Sequence, residues 1–181
     1  MFETAAELSG LQEILDTSYA GASDQLRGII NDGRTLRATE ITGLMSGMRT
    51  LSLATVTSRG EPRVSAVDGH FLHAQWIFST SVTSAKAKQL KARPAVSSSY
   101  VEGEELAVFA HGSAYRIAED DATFEATLVY LTDHYGSSPL SWGDTALYRV
   151  RPSWMVGYAA QRESLLASRG VEHEPRDEPV S

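Results

Sequence analysis

Arg63-Val-Ser-Ala-Val-Asp68, Trp76-Ile-Phe-Ser-Thr80 and Ser81-Val-Thr-Ser-Ala-Lys-Ala-Lys-Gln-Leu90 are the three pieces whose reading decides the fold. The first two, rich in β-branched and aromatic residues, read as strands of one hairpin that turns at Asp68-Gly69. The second strand runs through a Ser/Thr-rich loop into a short helix that carries Lys86 and Lys88. Backbone N–H groups at a helix start, small hydroxyls and a lysine in the first turn make an anion site. The donors converge there, and the helix dipole favours negative charge. A phosphate is the ligand this pattern points to.

Upstream of this stretch the period is helical. Thr4-Ala-Ala-Glu7 has capping-box spacing, and Leu8, Leu11 and Leu15 follow as one apolar stripe. A second segment, Ser23 to Asn31, stops at Asp32-Gly33, and a third places Ile41, Leu44, Met45 and Met48 on one face. From Leu51 apolar residues alternate, and Ser58-Arg-Gly60 supplies a turn before Pro62. Downstream, Ala95 to Val101 and Leu106 to Ile117 read as a longer hairpin, with Gly112 marking a bulge or a close backbone approach. Asp121 to Tyr135 is a helix with Asp120-Asp121 at its N-cap, and strands follow at Thr145 to Arg151 and Trp154 to Tyr158. Short, evenly spaced strands of this kind predict a small antiparallel barrel with flanking helices, mainly β within an α+β chain. The expected organisation is a helical segment over 1–48, a barrel over 49–160 and a polar, flexible tail over 161–181.

Composition narrows the function. The chain has 181 residues, a net charge of -7 and no cysteine. Length fits one domain with a real core. The acidic balance argues against general binding to nucleic acid or to an anionic membrane, since both need an excess of Lys and Arg. Without thiols, disulfides, thiolate nucleophiles, iron–sulfur clusters and Cys-ligated zinc are excluded. No apolar run reaches the roughly 20 residues of a spanning helix, and the N-terminus lacks a basic signal-peptide start, so the expected location is the cytoplasm. The dinucleotide fingerprint Gly-x-Gly-x-x-Gly and the Gly-x-Ser-x-Gly elbow are both absent from the sequence.

Phe78-Ser-Thr80-Ser-Val-Thr-Ser84-Ala-Lys86-Ala-Lys-Gln-Leu90 resembles, without a gap, the Phe-Tyr-Thr-Asn-x-x-Ser-Arg-Lys-Ala-x-x-Leu pattern of the pyridoxamine 5'-phosphate oxidase-like family. Arg93-Pro94-Ala95 follows where that family has Asn-Pro-x-Ala, and Tyr148-Arg-Val-Arg-Pro152 is similar to its late Arg-Leu-x-Pro. The resemblance implies an antiparallel split β-barrel, an obligate homodimer and a phosphate-bearing flavin at the interface. It also implies a cofactor site. Arg63, Val64, Ser65, Ala66, Val67 and Asp68 would line it, Ser79 and Thr80 would bond the ring or ribityl side, and Ser84 and Lys86 would hold the phosphate. Lys88 is a further phosphate candidate, and Tyr158 falls where many members have a flavin-side Trp.

The departures limit the implied substrate. Ala85 stands where the family has a phosphate arginine, and Ala107 where it has a flavin-facing glutamine. Gln161-Arg-Glu-Ser-Leu-Leu lacks the arginine–histidine segment that holds pyridoxal phosphate, so pyridoxamine phosphate is not the expected substrate. The implied activity is hydride transfer between FMN, or else the deazaflavin F420, and a small organic molecule. No side chain need act as acid or base. The alternative is a flavin- or haem-binding protein without turnover, with His111 as a conceivable axial ligand. No metal site is expected, because His70 and His73 are three apart on an extended segment and point to opposite faces.

Overall fold

A computed structural model describes residues 2–172. Three helices come first: α1 (Ala5–Ala20), α2 (Asp24–Ile29) and α3 (Ala38–Leu44). They are followed by β1 (Met48–Val56), β2 (Pro62–Leu72), β3 (Gln75–Ser81), α4 (Ala85–Ala92), β4 (Ala95–Glu102), β5 (Leu106–Arg116), α5 (Phe124–Tyr135), β6 (Thr145–Ala159) and α6 (Arg162–Arg169). All six strands pair antiparallel and close a barrel in the order β1-β2-β3-β6-β5-β4. The expected mainly-β architecture with flanking helices is the one observed.

Alternation explains the barrel. Leu51, Leu53, Val67, Phe71, Trp76, Phe78, Val108, Ala110 and Val150 point into one core, while the residues between them face outward. Leu90 and Ala87 of α4 join this core. A second cluster forms outside the barrel, where Leu131 of α5 packs on Leu72, Ile77 and Leu147. The capping box is present: Thr4 Oγ1 accepts the Glu7 N–H at 3.2 Å, and a Glu7 carboxylate oxygen accepts the Thr4 N–H at 2.7 Å.

Five local expectations change. The β2–β3 hairpin turns at His73-Ala74, both at positive φ (54° and 56°), and not at Asp68-Gly69. Gly69 lies inside β2, paired with Arg49 and Phe78, at a place where an added Cβ would come within 3.0 Å of Leu51 and 3.2 Å of Trp76. Met48 belongs to β1, paired with His70, so helical structure ends before it. The last two expected strands are one, β6, which carries Pro152 opposite the bulge at His111/Gly112. Thr123 is the N-cap residue of α5, and Asp121 sits two positions earlier, accepting the Thr123 N–H at 3.0 Å and an Arg149 guanidinium N–H at 2.7 Å. Finally, the expected flexible tail begins with helix α6, whose Leu165 and Leu166 are buried; residues 173–181 lie outside the described residues.

Candidate functional site

The split in the barrel positions the site. The β2–β3 ladder ends at Gly69↔Phe78, whereas β2 stays paired with β1 down to Val56↔Pro62. From Val64 to Asp68 the strand therefore keeps a ladder on one side only. Such an edge offers unpaired backbone donors and acceptors. Val64, Ala66 and Asp68 point outward and are exposed, Val64 at 72%. Val67 points into the core, so that only its backbone is available. Ser65 is half-buried, and Arg63 is exposed and paired with Glu61 at 3.0 Å.

Opposite this edge, β3 runs into α4. Ser84 is the N-cap residue, its Oγ accepting the Ala87 N–H at 3.1 Å and lying 3.3 Å from Thr80 Oγ1. Ser81 Oγ and Thr83 Oγ1 are 2.8 Å apart in the same loop. Thr55 Oγ1 lies 2.5 Å from Gln89 Oε1, and Arg93 Nε donates to the Val56 carbonyl at 3.1 Å; these contacts tie α4 to β1. Ser79 and Thr80 are both half-buried at the end of β3.

Lys86 is half-buried and has no hydrogen bond or ion pair to any described residue. Burial pushes its pKa below the ordinary lysine value. The donor set of Lys86, the Ser84 hydroxyl and the α4 N-terminus suits a phosphate oxygen. Lys88 does not share it. Two residues along a helix turn the side chain by about 200°, so Lys88 points away from Lys86 and lines a different cleft.

Tyr158 pairs with Ala107 on the half of β6 beyond the β3 ladder, which stops at Trp76↔Val150; β6 is two strands from β2 by way of β3, but across the paired strands β1, β4 and β5 Tyr158 is four strands away. At about 4.8 Å per strand it lies on the order of 19 Å from the β2 residues around the outside of the sheet. One row of that outer face reads Val64, Ala54, Ser97, His111, Trp154, and the next reads Ala66, Ser52, Ser99, Phe109, Val156. Beside Tyr158 is a groove of about 580 Å³ lined by Ile29, Ala107, Phe109, His111 and Trp154. His111 stacks on Trp154 with ring centroids 4.7 Å apart, and its Nδ1 is 2.8 Å from Ser97 Oγ.

Sequence reading passed over the polar cluster under α5. His70 is 1% exposed, with Nε2 2.9 Å from the Tyr135 hydroxyl and Nδ1 3.3 Å from that of Tyr130. Burial, with the nearby His134, lowers its pKa to about 4. No local spacing pointed to it, since Tyr130 and Tyr135 are five apart on α5 and lie 60 and 65 positions from His70. Among the described residues no group of three His, Asp or Glu side chains could hold a metal ion. No described helix is long and apolar enough to cross a membrane.

No family model matches the chain, and no curated protein matches it in sequence. Solved structures do match in fold. The conserved hypothetical protein Rv2991 from Mycobacterium tuberculosis is 17% identical at a TM-score of 0.63, over 84% of this chain and 99% of its own. An F420 reductase is 24% identical at 0.51, over 64% and 94%. HutZ, the haem storage protein of Vibrio cholerae, is 20% identical at 0.53, over 62% and 89%. At such identities the likeness shows the fold, the split β-barrel that the resemblance to pyridoxamine 5'-phosphate oxidase-like proteins implies.

Proposed function

We propose that the protein is a homodimeric, cytoplasmic oxidoreductase that holds FMN, or the deazaflavin F420, by its phosphate and moves a hydride to or from a small organic substrate. One observation carries the reading: Lys86 is half-buried and unpaired among the described residues, in the first turn of α4 and three residues before Gln89, which bonds Thr55 of β1 opposite Arg63 of β2. A desolvated ammonium without a counter-charge costs free energy. A phosphate on Lys86 and Ser84 removes that cost. The sharing of this fold with an F420 reductase supports the same class of ligand.

When bound, the flavin ring supplies the hydride chemistry. The chain anchors the phosphate, offers the backbone of Val64 to Asp68 as donors and acceptors, and shields the site from water. Solvent or substrate supplies the proton. One feature stands against pyridoxamine phosphate as substrate: Arg162, in the segment that lacks the family's arginine–histidine pattern, is already bonded to Glu40.

A second copy completes the site in this reading. The outer face that carries Val64, Val101 and Phe109 leaves these large apolar side chains exposed across several strands, a patch of the kind that marks an interface. In this reading the two faces pack antiparallel, so that Tyr158 of one protomer meets β2 of the other.

A haem-binding role is the second reading, favoured by His111. A hydroxyl at Nδ1 fixes the imidazole while Nε2 has no partner among the described residues, the arrangement of an axial ligand beside an apolar groove. The absorbance of purified protein titrated with FMN, F420 and haemin separates the two. Flavin or deazaflavin binding that weakens in Lys86→Ala sustains the first; a Soret band lost in His111→Ala, with neither ring bound, replaces it with the second.

A further inference from the structure

On the face of α4 turned away from Lys86, the helix and the ends of β5 and β6 enclose a cleft of about 590 Å³. Its floor is apolar. Ala87, Leu90 and Ala114 are buried there, and Val82 and Tyr115 form exposed walls. Its charges are all of one sign: Lys88, Lys91 and Arg116 line it, no carboxylate does, and none of the three has an ion-pair partner among the described residues. In a chain of net charge -7 this concentration is unexpected. Lys88 and Lys91 are three apart on one helix, neighbours whose like charges repel.

Tyr148 gives the second, independent sign of a ligand. It is 6% exposed and stacked on Phe78 at 5.4 Å, yet it lines the cleft and its hydroxyl has no hydrogen-bond partner among the described residues. With its ring packed against Phe78, the residue presents its hydroxyl to the cleft, where a ligand can accept from it. Arg116 is its Cα partner across the β5–β6 ladder, so cation and hydroxyl converge on one place. Arg151 sits over the Tyr115 ring at 5.6 Å, holding that wall in place.

The geometry points to a second small-molecule site here, for a compound that joins one anionic group to a flat apolar body. The anion lies between Lys88, Lys91 and Arg116 and accepts the Tyr148 hydroxyl, while the apolar part covers Leu90, Ala114 and the Tyr115 ring. This site shares no residue with the Lys86 anion site and stands whether or not a flavin binds there.

Calorimetric titration with 1-naphthyl phosphate tests it, beside 1-naphthol and inorganic phosphate as the two halves. The whole probe binds at least about tenfold more tightly than either half, since both parts of the cleft contribute. Arg116→Glu and Lys88→Glu each weaken it by about tenfold or more, and Tyr148→Phe by severalfold, with melting temperatures confirming that the variants fold. Lys86→Ala leaves it unchanged. Equal binding of inorganic phosphate, or indifference to both charge reversals, overturns the site. Loss of the probe in Lys86→Ala places it in the flavin site and overturns the cleft as well.

Discussion

Arg162 and Glu40 form an ion pair out of contact with water, their side chains 4% and 0% exposed. Arg162 Nε donates to Glu40 Oε2 at 3.0 Å, and Nη2 makes a second contact with Oε1. The same carboxylate accepts the Arg37 N–H at 3.0 Å, so that one side chain both caps α3 and anchors α6. Removing one partner strands a buried charge. Arg162→Met is expected to cost about 3–5 kcal/mol in urea unfolding, and Glu40→Leu with Arg162→Met to recover most of it. A single-variant cost below about 1 kcal/mol would mean that the leucines of α6, and not the pair, hold the helix.

That pair also explains why α6 was illegible in the sequence. Gln161 to Arg169 has only Leu165 and Leu166 as large apolar residues, and its main polar anchor lies 122 positions away. Local pattern cannot reveal such a partner. The barrel was legible because strand alternation repeats along every strand, and Gly112 because a close backbone approach leaves room for no side chain. The hairpin turn was missed since His73 and Ala74 adopt positive φ without being Gly or Asn, held by Glu7 at 3.1 Å from His73 and by core burial of Ala74. Within the candidate site, the phosphate-loop spacing was readable; that Lys86 and Lys88 serve different clefts follows only once the segment is a helix.

His70 makes stability depend on pH. Its folded pKa of about 4 lies below the unfolded value of 6.5, so the unfolded chain takes up the proton first as pH falls. Stability contributed by the neutral ring is full above about 6.5, declines between about 6.5 and 4, and reaches a loss of about 3 kcal/mol. Unfolding free energies at pH 7, 5.5 and 4.5 measure this. In His70→Phe the His70 share of the slope disappears, while stability at pH 7 falls by about 1–3 kcal/mol because Tyr130 and Tyr135 lose their partner. An unchanged slope would assign the acid sensitivity to other groups.

Gly112→Ala tests the bulge. An added Cβ would lie 2.1 Å from the Arg151 carbonyl oxygen and 2.9 Å from Pro152 Cα, both backbone atoms that cannot swing aside. The expected loss is about 3 kcal/mol or more, by chemical denaturation. Gly28→Ala, in helix α2 with nothing within 4 Å, is the control and gains up to about 1 kcal/mol. Similar melting of the two variants would mean that β5 and β6 separate at the bulge without cost.

The two lysines of α4 give opposite expectations for flavin binding. Lys86→Ala removes a charge-assisted contact of about 1.5–3 kcal/mol, raising the Kd for FMN or F420 by about 10- to 150-fold in a fluorescence titration. Lys88→Ala, on the far face of the helix, leaves that Kd within about threefold. Burial lowers the Lys86 pKa, so its charge is lost as pH rises through the lowered value and affinity falls with it, earlier than an ordinary lysine would cause. Arg63 offers a separate check, since it is paired with Glu61 and exposed, and Arg63→Ala is expected to matter less than Lys86→Ala. If Lys88→Ala weakens the flavin as much as Lys86→Ala does, the phosphate sits across the helix from where the split in the barrel would place it, and the cofactor site must be redrawn around the second cleft.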